Sequence, residues 1–407
     1  MSVLLEYGAS GRWTWSPPSS ATIVCHSGPM ETVQVGPTVT DALAEPLDFP
    51  PLSTAVVPGD RVVLAVDRRV PESAAIVAAV WRVLEGAGIG PHDVCVLHPA
   101  SPAPTELPDP RRLLPDAVRR EVKWHVHDAA RDDTCGYLAS SAGGERIYLN
   151  RELLDADFVL PVSAAGFDPV LGFRGPGAVF FPGLSTSAAF AKTLGQGHSE
   201  LRPDDDRPLR QLIEEIVWLL GVQFAIQTIP HRHAGAAGGV IAGSVEAVER
   251  TARRQLNREW RLARSERSDS VVAAVSASQG PTRWEDVGAA IEAAQKLVTR
   301  GGKIVLLTDL TEAPGPGIEL LRTQKSARSG LRELRAKMPS DWLAASQMAA
   351  AADWASVYLL SRLPNDVVEE LFLTPLESET EVRRLLDHTE ECVLLAGAQH
   401  TYTEITG

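Results

Sequence analysis

One passage constrains the fold of this chain more than any other. From Asn150 to Gly183, NRELLDADFVLPVSAAGFDPVLGFRGPGAVFFPG, a short apolar run gives way to a loop that is itself apolar. Phe158 to Val162 follow the polar Asn150-Arg151 and the acidic Asp155 and Asp157, a pattern that predicts a buried strand of a parallel sheet. From Gly166 to Gly183, five glycines and three prolines are set among Phe167, Phe173, Phe180 and Phe181, which is too apolar for a solvated linker. Glycines there allow the backbone to approach a ligand closely or to adopt positive φ. Two readings stay open: a ligand-facing loop, or a structural loop packed on its own phenylalanines.

The rest of the chain supplies a context of alternating strands and helices. Residues 1 to 57 suggest a small β entry followed by the helical signal TVTDALAEPL. RVVLAVD, Arg61 to Asp67, reads as a buried strand, AAIVAAVWRVLEGAG as a helix ended by Gly86 and Gly88, and DVCVLHP as the next strand. Such alternation predicts a parallel sheet with helices on its faces. A proline-rich passage at 98 to 116 follows that strand's carboxyl end, where open α/β sheets place ligands, and a surface excursion is the other reading. In KWHVHD, His125 and His127 stand two apart, a spacing suited to chelating a metal from one strand face; a structural role is the alternative. Around 245 to 270 a charged, sign-mixed helical stretch marks a connecting helix. A second α/β unit then begins, with VVAAVSA and KIVLLTD as strands around a helix at 285 to 299. WASVYLLSRL and ECVLLAGA follow as further strands around a helix at Glu377 to Leu386. HRHAGAAGGVIAG, His231 to Gly243, has no Walker lysine or complete GxGxxG and reads as a hairpin with a glycine turn.

Composition narrows the function classes. With 407 residues and 44% hydrophobic content, the chain can bury large cores, and two domains are expected, 1–265 and 266–407. A net charge of −13 argues against a nucleic-acid binder, whose footprint is a basic face. The four cysteines, at 25, 95, 135 and 392, lack a CxxC spacing and fit a reducing compartment. No uninterrupted apolar stretch reaches the roughly 18 residues of a membrane span, and the N-terminus lacks a basic flank. The expectation is a cytoplasmic protein with neither nucleic-acid nor membrane partners.

The Asn150–Gly183 passage resembles the cofactor-bearing segment of the nickel-dependent lactate racemase family. Asn150-Arg151, Ala156-Asp157, Gly172-Phe173, Gly175 and Pro182-Gly183 hold the family's frame of an asparagine-arginine and alanine-aspartate pair, a proline-histidine and a GFSGGxKxxxPG loop. DALAEPLDFPPL from Asp41, PGDRVVLAVDRRVP from Pro58 and RPLRQLIEEIVWLLGVQFAIQTI from Arg207 extend the likeness over most of residues 41 to 310. The resemblance implies two α/β domains with mainly parallel sheets, helices on both faces and an interdomain cleft. It also implies a nickel-pincer nucleotide tethered to the loop lysine, two histidines acting as acid and base, and a 2-hydroxy acid substrate.

At the chemical positions the chain departs from that frame. The lysine position is Ala178 and one histidine position is Asp168. The other falls on Ser101, with His98 three residues away. The arginine that would grip a substrate carboxylate becomes Val70, while Asp67 and Pro71 remain. His198 matches the nickel ligand only with an insertion. From Ser276, SASQGPTRWEDVGAAIEAAQKLVTRGGKIVLLTD matches the family's strand, loop, helix and strand, yet a glutamine and a lysine of that helix become Gly288 and Ile291; Gln295 and Lys296 read as ordinary helix residues. Trp342 matches a family tryptophan near the site, or is core packing. The resemblance therefore implies a racemase or epimerase, an isomerase working by hydride transfer, whose chemistry has been altered. The alternative is a non-catalytic relative that binds a small molecule or a partner and holds no cofactor.

Overall fold

The structure is a computed structural model that describes residues 2–100, 107–195, 201–277 and 280–406. The chain divides into two compact units, one of residues 31–230 and 237–256, the other of 1–30, 231–236 and 257–407. The simple cut expected between 265 and 266 is therefore corrected in two places. The second unit begins at Asn257, and it recruits the first thirty residues and the short segment 231–236.

In the 31–256 unit, a six-stranded sheet has the order Ala237–Ser244, Phe224–Pro230, Phe158–Ala164, Val62–Val66, Val94–His98, Lys123–Val126. All neighbours are parallel except the first pair, a hairpin of the kind expected from the HRHAGAAGG stretch. Strand residues alternate between two cores, as a doubly covered sheet requires. Val62, Leu64, Val96 and Val162 pack with the Ser73–Gly86 helix through Ile76, Val80 and Leu84. Val63, Ala65, Leu97 and Val159 pack on the other face with Phe180 and with Ile213 and Ile216 of the Pro208–Leu219 helix.

The other unit holds a second six-stranded sheet, wholly parallel, in the order Thr374–Leu376, Ser356–Leu360, Val298–Leu307, Ser268–Ala274, Glu391–Ala396, Thr22–His26. One face is covered by the helices Trp284–Leu297 and Trp342–Trp354. The other is covered by Trp13 and Trp15 of an N-terminal hairpin and by Val382 and Leu386 of the Glu379–Leu386 helix. Two α/β units with mainly parallel sheets and helices on both faces are thus present, as the alternating pattern predicts. Among the described residues no helix is long and apolar enough to cross a membrane.

Candidate functional site

The carboxyl ends of the central strands in the 31–256 unit carry its chemically able side chains, the place where an open α/β sheet binds ligands. Asp67 follows the Val62–Val66 strand and is buried. Its Oδ1 accepts the amide of Arg69 at 3.1 Å, and its own amide donates to the Val162 carbonyl, so the aspartate folds its loop back on itself. Val70, three residues on, is fully enclosed in the core. A guanidinium at that position would have to leave the core to meet a carboxylate.

His98 ends the Val94–His98 strand and is 3% exposed. Its ring contacts the ring of Trp124 edge-on, and Nδ1 donates to the Val66 carbonyl at 2.8 Å. With Nδ1 holding the proton, Nε2 presents a buried lone pair that has no hydrogen-bond partner. Burial is the main cause that pushes the imidazole down to about 4, with the Arg68 charge adding to it against the Val66 hydrogen bond and Asp67. At neutral pH His98 is a neutral acceptor and a weak base.

Asp168 sits in a small hairpin, Gly166–Asp168 against Gly172–Arg174. Its Oδ1 accepts the amides of Val170 and Leu171 at 2.9 and 3.0 Å, and its Oδ2 accepts from the Arg174 guanidinium at 3.2 Å. Burial pushes the carboxyl up, but the charge of Arg174, the two amides and the charge of Arg69 outweigh it and hold Asp168 below the ordinary carboxylate range. A carboxylate so stabilised in its charged form is a poor general base. Asp168, expected to serve as acid or base, braces the loop through these contacts.

Of the two readings of the glycine-rich loop, internal packing has the direct support. Phe173, Phe180 and Phe181 are buried, and Phe167 packs on Phe173 at 5.3 Å between centroids. A Cβ at Gly177 would stand 2.3 Å from Val217 Cγ2, and one at Gly172, whose φ is +76°, would stand 2.2 Å from the Pro203 carbonyl oxygen. Both glycines are thus used for close approach by the protein's own chain. Gly175, expected to face a cofactor, is met by the Glu249 carboxylate, which is paired with Arg253. Ala178 lies in the turn Pro176–Val179 and packs half-buried against the core under the Pro208–Leu219 helix. The unit's lysines are Lys123, on the exposed edge strand, and Lys192, which donates to Glu145 at 2.5 Å. Ser101 and His198 lie outside the described residues.

The other expected positions are also occupied by packing. A Cβ at Gly288 would meet Gln347 Oε1 at 2.5 Å and Ala344 Cα at 2.9 Å, so the glycine is where the Trp284–Leu297 and Trp342–Trp354 helices touch. Ile291 is fully buried in the same core, and Trp342 opens the second helix half-buried. Gln295, expected to be an ordinary helix residue, ties its helix to the Trp342–Trp354 helix by donating to the Ala350 carbonyl, and Lys296 pairs with Glu292 one turn away and lies over the Tyr402 ring.

The two histidines of KWHVHD part company. His127 is buried beyond the strand end; it accepts from Asn150 Nδ2 at 3.0 Å and donates from Nε2 to the Ser185 carbonyl at 2.7 Å. It is thereby a structural strut. His125 instead lies with Cys95 and Glu152, their ligand atoms all within 4.8 Å of one another. Arg174 and this Cys95 group were not legible by motif, because their partners come from separate elements. Elsewhere in the unit a cavity of about 630 Å³ is lined by Tyr148, Phe181, Thr186 and Lys192 among others, and by none of His98, Asp168 or Ala178.

Comparison with known proteins shows what the chain is similar to. Residues 10–202 match the lactate racemase N-terminal domain. The fold is similar to the lactate racemase apoprotein from Thermoanaerobacterium thermosaccharolyticum, with a TM-score of 0.78 and 13% identity, covering 99% of this chain and 100% of that one. It is also similar to a structural-genomics protein from Thermotoga maritima, with a TM-score of 0.67 and 14% identity over 91% of this chain and 98% of that one. No protein of curated function matches the sequence.

Proposed function

We propose, from the premise that the chain is a lactate racemase-like family member, that it keeps the racemase scaffold without the family's tethered hydride carrier. The reading is of an altered isomerase-type protein that does not interconvert 2-hydroxy acids through a nickel-pincer nucleotide. One observation carries it: the positions that would grip the nucleotide and the substrate are filled by packing or by internal pairing. Ala178 has no amine, Val70 and Ile291 are enclosed in cores, Gly288 has no room for a side chain, and Asp168 is spent on Arg174 and two amides. These residues do not fit the group.

What the strand-end site retains is a neutral imidazole with one buried lone pair at His98 beside the Asp67 carboxylate. Such a pair suits accepting a hydrogen bond from a hydroxyl of a small molecule better than taking its proton. A second reading, a non-catalytic small-molecule binder, is favoured by the cavity of about 630 Å³, which lies in the size range of ligand pockets. Four unpaired cysteines suit a cytoplasmic setting, and the acidic charge balance suits no nucleic-acid partner.

The test is chiral analysis of single-enantiomer 2-hydroxy acids, lactate first, incubated with protein produced alongside the cofactor-synthesis enzymes. The expected outcome is no interconversion above a protein-free control. Racemisation that is lost in His98→Phe would overturn the reading.

A further inference from the structure

We propose that Cys95, His125 and Glu152 form a binding site for a divalent transition-metal ion of the zinc class. The three residues come from three elements: the Val94–His98 strand, the adjacent Lys123–Val126 edge strand and the short Arg151–Leu154 helix. The parallel register places Leu97 opposite His125, and Cys95 shares the Leu97 face of its strand, so thiol and imidazole rise from one side of the sheet. Glu152 is brought over that side because the Asn150 side chain accepts its amide at 2.9 Å and starts the helix there.

A sulfur, a nitrogen and a carboxylate oxygen within 4.8 Å of one another form a mixed donor set that zinc-class ions take. Tetrahedral coordination at about 2.0 to 2.3 Å sets ligand atoms about 3.3 to 3.8 Å apart, so closure needs a contraction of at most about 1 to 1.5 Å. The buried Cys95 is fixed, whereas the exposed His125 and half-buried Glu152 have room to make that movement. Among the described residues, none of the three side chains has a hydrogen-bond or ion-pair partner that an ion would have to displace. A cavity of about 80 Å³ adjoins Cys95 and Glu152, though not His125, and is lined also by Arg61, His92, Asp93 and Lys123; it has room for a water beside those two ligands.

The charge balance also favours a dication. With Cys95 as thiolate, His125 neutral and Glu152 ionised, the donors carry two negative charges that one divalent ion neutralises. Without an ion, burial first and the Glu152 charge second push the Cys95 thiol up to about 12. Binding therefore breaks the Cys95 S–H bond, releases the proton to solvent and gives the sulfur lone pair to the metal, so affinity rises with pH. Lys123 and Arg61 are the nearby charges that oppose the ion.

The probe is cobalt(II) added to the full chain, followed by competition with zinc. The expected result is one cobalt per chain, with a thiolate-to-cobalt charge-transfer band that zinc abolishes. Cys95→Ser should lose the band and Cys25→Ser should keep it. His125→Ala and Glu152→Gln should each weaken binding at least about tenfold, the least that loss of even an outer supporting group costs a metal site. Because His125 is exposed, its variant folds even where a change at Cys95 disturbs the core. The inference is overturned by the absence of the band, by a band that survives Cys95→Ser, or by affinity indifferent to His125→Ala.

Discussion

Single side chains decide what this site can do, and each is set by its immediate partners. His98 is neutral because its ring is buried and its Nδ1 proton is committed to the Val66 carbonyl. Its folded value near 4 lies below the ordinary 6.5, so the unfolded chain takes up the proton first as pH falls. The native state is therefore progressively penalised between about pH 6.5 and 4, by roughly 3 kcal/mol in all, and the penalty is constant below that window. Denaturant unfolding at pH 7 and at pH 4.5 should show a smaller loss in His98→Phe than in the parent chain. Asp168 acts in a lower window. Its carboxyl is held below the ordinary range, so its stabilisation is complete above that range and is lost as pH falls through the depressed value. Asp168→Asn should cost about 1 to 3 kcal/mol at pH 7 in the same measurement, because Arg174, only 16% exposed, loses its counter-charge.

The regular elements were legible in the chain because their signals are local. The apolar runs at Arg61 to Asp67 and at Phe158 to Val162 became strands, and the pattern at 285 to 299 became the Trp284–Leu297 helix. What one residue touches across two elements was not legible. Gly288 reads as an ordinary weak helix former until the Trp342–Trp354 helix is seen lying against it. His125 and His127 share a strand pattern, yet one turns to Cys95 and Glu152 and the other to Asn150 and Ser185, since neighbours in space need not be neighbours in sequence. Restoring a family-like side chain at one position should therefore fail. Gly288→Gln drives a Cβ into the Ala344 backbone and should destabilise by about 1 to 3 kcal/mol, read as a lower thermal midpoint. Gly177→Ala should do the same through Val217.

At the scale of the whole molecule, the chain's first thirty residues belong with its last hundred and fifty, which no local pattern announces. The Thr22–His26 strand pairs in parallel with Glu391–Ala396, and Trp13 and Trp15 cover one face of the same sheet. Parallel pairing across nearly the whole chain leaves no hairpin signal to read. Removing residues 1–30 should expose that face and cost several kcal/mol, at about 2 kcal/mol for each large apolar side chain uncovered, visible as loss of cooperative unfolding in calorimetry. The central claim is that this fold has been kept while its grip on a nickel-bearing nucleotide was lost. Intact-mass and nickel analysis of the full chain, produced with the cofactor-synthesis enzymes, tests it most directly. A Cys95→Ser sample analysed in parallel excludes nickel held at the sheet edge. The account predicts an unmodified mass and no nickel in the Cys95→Ser protein; a nucleotide adduct carrying one nickel per chain would contradict it.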